Sequence, residues 1–230
     1  MKKLLAIFFV IPILLNFKIL FSIEQKDVNV IKKEEFEIPL TEDLMREHGI
    51  LNRLLLIYEE CIRRIDCKSD FPIQSLEKAI QIIESFIENY HEKLEEDYIF
   101  PLFEKKKKKV QLVRTLKDQH VKGRIITSQL KKIVTNKKDL NTKEKHAAKR
   151  LMQKFISMYR PHEAREDTVL FPLIRSLISP KEFKELSEKF EELEHKLFGD
   201  NGFKSILNKV ADIEKQFGIY KLEQFTPNTK

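Results

Sequence analysis

Tryptophan is absent from this chain, cysteine occurs twice and glycine five times in 230 residues. So little glycine suits a protein built mainly from helices, and almost nothing in the chain reads as strand, which excludes sandwich, barrel and α/β-sheet architectures. Cys61 and Cys67 do not have the spacing of a zinc ribbon, so a metal would find no thiolate set here. An oxidising compartment permits a bridge between them across a loop at a helix end. On one continuous helix their separation would instead leave both free. Also missing is a basic helix interleaved with aromatics. The formal charge of +7 therefore reads as a lysine-rich soluble surface, and nucleic acid is not an expected partner. The run from Lys105 to Lys109 reads as a solvated connection between helices.

What is present begins with an unusual leader. Lys2 and Lys3 precede an apolar run from Leu4 to Leu15, followed by Asn16, Phe17, Lys18 and Ile19 to Ser22. A short basic start and an apolar stretch are the parts of an export signal. Residues 1–22 are expected to be that signal; left uncut, residues 4–23 would tether the chain to a membrane, although Lys18 weakens a full span. No cysteine follows the run, so a lipoprotein is not expected. Removal of the leader takes away three lysines and no acids, lowering the formal charge from +7 to +4. The protein is expected outside the cytoplasm, periplasmic or extracellular.

Residues 23–40 read as a lead-in. Thr41 is placed to cap a first helix reaching about Ile65, with Glu42 and Asp43 in its acidic first turn. Pro72 suits the start of a second helix, which reaches about Phe100. A third runs from Val110 to Thr135 and a fourth from Lys143 to about Phe171, bent at Pro161. Pro101 and Pro172 are expected to end or kink their helices at matched points. Ser179, Pro180 and Glu182 form a capping box that starts a fifth helix ending at Gly199, and a sixth covers about Gly202 to Phe217. The chain thus divides into a bundle over residues 41–177, a helical extension over 178–219 and a loose tail over 220–230. Seventeen phenylalanines can fill the core.

The most informative pattern is a repeat. His91-Glu92-Lys93-Leu94-Glu95 and His162-Glu163-Ala164-Arg165-Glu166 are both His-Glu-x-x-Glu, and both run on into Phe-Pro-Leu. His120 follows His48 by 72 residues, and His162 follows His91 by 71. Two helical hairpins of like design therefore each offer a lone histidine on the first helix and His-x-x-x-Glu on the second. On a helix, residues four apart share a face. His48 lies among Leu44, Leu51 and Leu55; His91 and Glu95 continue a row from Ile80, Ile83 and Ile87; His120 falls between Val113, Leu116 and Leu130; His162 and Glu166 follow Leu151, Phe155 and Met158. All six polar residues occupy apolar stripes.

One histidine on such a stripe is readily a satisfied core residue, and Glu92, Glu96, Glu163 and Asp167 could form an ordinary solvated face. Four histidines and two glutamates turned into one bundle differ, because each unpaired buried carboxylate costs several kcal/mol. Bundles build metal sites from such inward side chains. Imidazole with carboxylate suits iron, zinc or manganese. The six donors could surround one octahedral ion, or hold two with Glu95 and Glu166 bridging. His146 is expected at the surface, His195 in a packing or surface role, and Gly123 at a close approach by a neighbour.

At Arg46-Glu47-His48, the two His-Glu-x-x-Glu segments with Phe-Pro and the isolated His120, the chain resembles the hemerythrin-like (HHE cation-binding) family over about Thr41 to Leu177. The resemblance implies an all-α, antiparallel four-helix bundle around two non-haem iron ions. His48, His91, His120 and His162 would be terminal ligands, and Glu95 and Glu166 bridging carboxylates. Oxygen carriers of the family have a His-x-x-x-His pair on the third helix; here Arg124 stands four residues after His120, which leaves a metal position open. By the same resemblance Glu92 or Glu163 would supply one further contact. The implied function is binding of oxygen or a related diatomic such as nitric oxide, as carrier, store or sensor, with a redox partner unspecified. The alternatives are a di-iron enzyme reducing nitric oxide or peroxide, iron handling or repair of iron centres, and a metal-free bundle that docks a partner through its last helices. Repair-type relatives carry an additional cysteine-containing segment, which has no counterpart ahead of this bundle.

Overall fold

The structure, a computed structural model, describes residues 38–227 and 229. The expected leader lies outside the described residues. Among those described, no helix is long and apolar enough to cross a membrane, and there is no strand. Six long helices account for nearly all of residues 40–217. Helix α1 spans Leu40–Asp66. Helix α2 occupies 73–105 and is continuous, although it changes pitch along its length. Helix α3 spans Val110–Val134, and α4 covers 142–177. Helices α5 (Pro180–Phe198) and α6 (Gly202–Phe217) follow, and a single 3₁₀ turn, Leu222–Phe225, occupies the tail.

Helices α1 to α4 form the antiparallel bundle, and its core holds Leu54, Leu55, Ile83, Phe86, Phe100, Phe103, Phe155 and Phe171, each fully buried. Burial of side chains of this size stabilises the bundle by roughly 2 kcal/mol apiece. The lysine run is exposed and turns through left-handed backbone at Lys107 and Lys109. Gly123 makes the expected close approach: a Cβ there would lie 2.0 Å from the Tyr159 hydroxyl.

Three helix boundaries depart from the sequence reading. Thr41 is not the cap of α1; the helix starts one residue earlier, at Leu40, and the Pro39 carbonyl accepts the N–H groups of Glu42 and Asp43. The burial of Leu40 fixes that start. Helices α2 and α4 do not stop at Phe100 and Phe171 but run on to Lys105 and Leu177. Each absorbs its proline in a wider π-helical segment, Glu95–Ile99 and Glu166–Leu170. There the N–H of Phe100 donates to the Glu95 carbonyl, and that of Phe171 to the Glu166 carbonyl, five residues back. A proline cannot donate to, and crowds, the carbonyl four residues before it, and the i to i−5 pattern relieves both problems. Pro161, inside α4, is exposed and the helix continues through it.

The capping boxes stand where the chain's turn chemistry asks for them. Ser179 starts α5 as read, and Asn141 starts α4 with Glu144 as its reciprocal partner. Helices α5 and α6 pack chiefly on α1 and the start of α2. Arg53 holds the buried Glu214 of α6 through Nε to Oε1 at 2.8 Å and Nη2 to Oε2 at 2.5 Å. Arg64 donates to the Phe217 carbonyl at 2.6 Å, and Phe198 and Phe203 meet the ring of Phe86.

Candidate metal centre

His48 comes from α1, His91 and Glu95 from α2, His120 from α3, and His162 and Glu166 from α4. All six are buried, with Glu95, His120 and Glu166 at 0% exposure. Their inner atoms converge. His48 Nε2 lies 3.4 Å from Glu166 Oε2, and His162 Nε2 lies 3.1 Å from the same oxygen. His120 Nε2 is 3.4 Å and His91 Nε2 is 3.7 Å from Glu95 Oε2. His120 and His162 approach within 3.2 Å, Nε2 to Nε2. The donors fall into two sets that share Glu95: one of Glu95, His120, His162 and Glu166, the other of His48, His91 and Glu95.

Each ring is held from behind through Nδ1. His48 meets Asp167 Oδ1 at 2.7 Å, His91 meets Glu47 Oε2 at 2.6 Å, His120 meets Glu96 Oε1 at 3.1 Å and His162 meets Gln119 Oε1 at 2.9 Å. With an acceptor at Nδ1, the ring carries its proton there and turns the Nε2 lone pair inward, which is the arrangement of a metal-ligating imidazole. The pattern obeys the repeat. The residue before each lone histidine, Glu47 or Gln119, orients the second histidine of its own hairpin. The residue after each inner glutamate, Glu96 or Asp167, orients the lone histidine of the opposite hairpin.

The two inner carboxylates are different in kind from these supports. None of their four oxygens has a hydrogen-bond partner. Burial, then repulsion by Glu166, drives the Glu95 carboxyl well above its ordinary range. Glu166 is driven up by burial too, but His162 and His48 outweigh that and hold it low. Burial lowers His91 well below its usual value and takes His120 down to about 4. Burial also opposes a charge on His48, yet its hydrogen bond to Asp167 and the nearby Glu166 carboxylate raise it to about 10. Four bare carboxylate oxygens at zero exposure leave a donor set that a cation would satisfy, at a place where a protein otherwise loses several kcal/mol per ion.

The profile of the Hemerythrin HHE cation binding domain matches residues 40–174 and, in a second overlapping match, 112–211. The chain belongs to the hemerythrin HHE cation-binding family. Proteins described as uncharacterised in Mycobacterium bovis and in two strains of Mycobacterium tuberculosis are 46% identical to it over 196 residues, 84% of this chain and 77% of theirs. No solved structure matches it.

In this HHE-domain protein the solvated-face reading fails for Glu92 and Glu163, which are buried at 1% and 3% exposure. Glu92 accepts from the Tyr159 hydroxyl at 2.5 Å and lies 2.8 Å from Arg124 Nη2. Glu163 accepts from Asn52. Arg124, at the place of an oxygen carrier's fifth histidine, also pairs with Glu96 and so closes the wall on that side. Leu51 and Ile87 complete the lining, and the space they enclose is too small to admit a water-sized sphere. His146 and His195 are exposed, the latter 3.6 Å from Asp200. Both cysteines are free: Cys61 is buried in α1, where burial pushes its thiol up, and Cys67 is exposed at the end of that helix.

Proposed function

We propose that this protein is a non-haem di-iron protein that binds oxygen or a related small diatomic ligand, as carrier, store or sensor. The observation that carries the reading is the pair of donor sets sharing Glu95, each completed by two imidazoles with Nε2 turned inward. Four imidazoles and two carboxylates with no thiolate fit iron. His48 and His91 would hold one ion and His120 and His162 the other, with Glu95 and Glu166 between them. When bound, the two irons supply the electrons that a diatomic ligand draws on binding. The chain's own share is to fix the rings through their Nδ1 acceptors and to keep water out. Phe100 and Phe171 serve the second purpose, stacking on His120 and His48 at 5.5 Å. The basic start and apolar run of residues 1–22 support a protein exported or tethered outside the cytoplasm.

Metal analysis combined with an absorption spectrum under nitrogen and then air tests this reading. About two irons per chain and an oxygen-dependent near-ultraviolet band are expected; zinc alone with no spectral response defeats it.

An enzyme that reduces nitric oxide or peroxide is the second reading, favoured by one feature. The Tyr159 hydroxyl and Glu92 carboxyl form a buried pair able to hold a proton beside the centre, and Arg124 links that pair to the partly exposed Glu96. Steady turnover with an electron donor would identify the enzyme; saturation at one ligand per centre would identify the binder.

A further inference from the structure

Outside the bundle centre, a second cluster joins α1 to the C-terminal extension. Asp43 and Glu47 of α1 and Glu194 of α5 each place a carboxylate oxygen within 4.8 Å of the others. Glu47 is fully buried, and Asp43 is 16% exposed. The hydrogen bonds made here use one oxygen of each group: Arg46 Nη1 reaches Asp43 Oδ1 at 3.1 Å, His91 Nδ1 reaches Glu47 Oε2 at 2.6 Å, and the Phe203 N–H reaches Glu194 Oε1 at 2.8 Å. Glu47 Oε1 is buried with no partner. A separate side chain shares that condition. Tyr90, 2% exposed, faces Glu47 with its hydroxyl but makes no hydrogen bond of ordinary geometry there.

Around Asp43 stand Glu47, Glu194 and Glu191, and the Arg46 guanidinium opposes them. Arg46 is itself turned to lie over the Phe203 ring, 4.2 Å from its centroid. Three carboxylates thus converge in a half-buried place, where the buried oxygen Glu47 Oε1 and the Tyr90 hydroxyl both lack a hydrogen-bond partner. We propose that Asp43, Glu47 and Glu194, with the Tyr90 hydroxyl, form a second cation site that takes a hard divalent ion of the Ca²⁺ class and fastens α5 to α1. All-oxygen donors select such ions over softer metals. Ca²⁺, with bonds of about 2.3–2.6 Å and flexible geometry, spans such a set more readily than Mg²⁺ at about 2.1 Å. Glu47 belongs to both places, because its other oxygen holds His91. Occupancy here therefore weakens the carboxylate's hold on His91. The site itself does not rest on the bundle centre holding iron.

The absence of tryptophan supplies a clean probe, since only tyrosine can sensitise bound Tb³⁺ in this chain. Terbium is titrated into the full chain, as purified and again after chelation, with tyrosine excited. Saturable emission from one site is expected, displaced by Ca²⁺ at lower concentration than by Mg²⁺. Asp43→Asn and Glu194→Gln should each weaken binding at least about tenfold, and both lie away from the six inner donors. Tyr90→Phe should lose most of the emission while calorimetry still detects Ca²⁺. Circular dichroism checks that each variant folds, and two independent carboxylate variants guard against the loss of one. No saturable emission in the wild type, or equal binding in Asp43→Asn and Glu194→Gln, overturns the proposal. Because chelated protein is included, either result stands whether or not iron occupies the centre.

Discussion

Around His91 the supporting group is the carboxylate of Glu47; around His162, at the equivalent place in the second hairpin, it is the amide of Gln119. One turn before those histidines stand Glu88 and Tyr159, and on the partner helices Leu51 and Gly123. The six inner donors are thus duplicated faithfully, while the groups behind them have diverged. A carboxylate makes a more basic imidazole than an amide does. The two halves therefore present like donors in unlike surroundings, with more carboxyl groups behind the hairpin that α5 and α6 cover. Duplication accounts for the donor set, and divergence gives the two groups of donors different surroundings.

The largest effect should come from the carboxylates that both sets depend on. Glu95 appears in both donor groups and Glu166 in one. Glu95→Ala is therefore expected to empty the centre, whereas Glu166→Ala should keep part of one ion at His48, His91 and Glu95. Metal analysis of the two variants side by side tests whether the halves are equivalent. Equal, complete loss would erase the distinction. Unchanged metal content, with stability unchanged or raised, would mean a bundle that never used these carboxylates for metal.

That contrast also shows what could be read from the chain. His48, His91, His120, His162, Glu95 and Glu166 were legible because period, apolar stripe and the 71- and 72-residue spacings all select them. Their supports were not. Glu47 and Gln119 adjoin one histidine in sequence yet hold another on a different helix, and only packing brings them there. Glu96 and Asp167 are partly exposed, so by pattern they belong to a solvated face even while bonded to His120 and His48. Helix count and order were legible from caps and periodicity. The ends of α2 and α4 were not, because a proline stops an ideal α-turn but not a π-turn, and nothing local announces which forms.

Gly123 and Leu51 sharpen the comparison next. A Cβ at Gly123 would meet Tyr159 Oη at 2.0 Å and Cζ at 2.8 Å. The ring cannot retreat, held by Glu92 and packed 4.3 Å from Phe155, centroid to centroid. Gly123→Ala should cost about 3 kcal/mol, at the upper end of overpacking in a core. Denaturant unfolding measures it, and in a Tyr159→Phe background, where the nearest atom is gone, the cost should fall. Equal costs in the two backgrounds would show that Gly123 is required by its backbone and not by its neighbour.

The smallest effect concerns the position in the first hairpin that corresponds to Tyr159. Burial raises the Glu88 carboxyl to about 7 from an ordinary 4.5; the Thr127 hydroxyl and Arg124 guanidinium oppose this only in part. The folded state then binds a proton that the unfolded state has released between those two pH values. Glu88 therefore contributes stability that is fully present below about pH 4.5 and is lost as pH rises through about 7. Glu88→Gln removes this dependence, so relative to wild type the variant should gain of order 2 kcal/mol between acid and mildly alkaline pH. Urea unfolding of both proteins at pH values spanning that window, on chelated protein so that metal release does not intrude, reads the difference directly. A constant offset would mean that Glu88 stays ionised in the folded chain, held by Arg124 and Lys131, and that the first hairpin tolerates a buried charge where the second has a phenol.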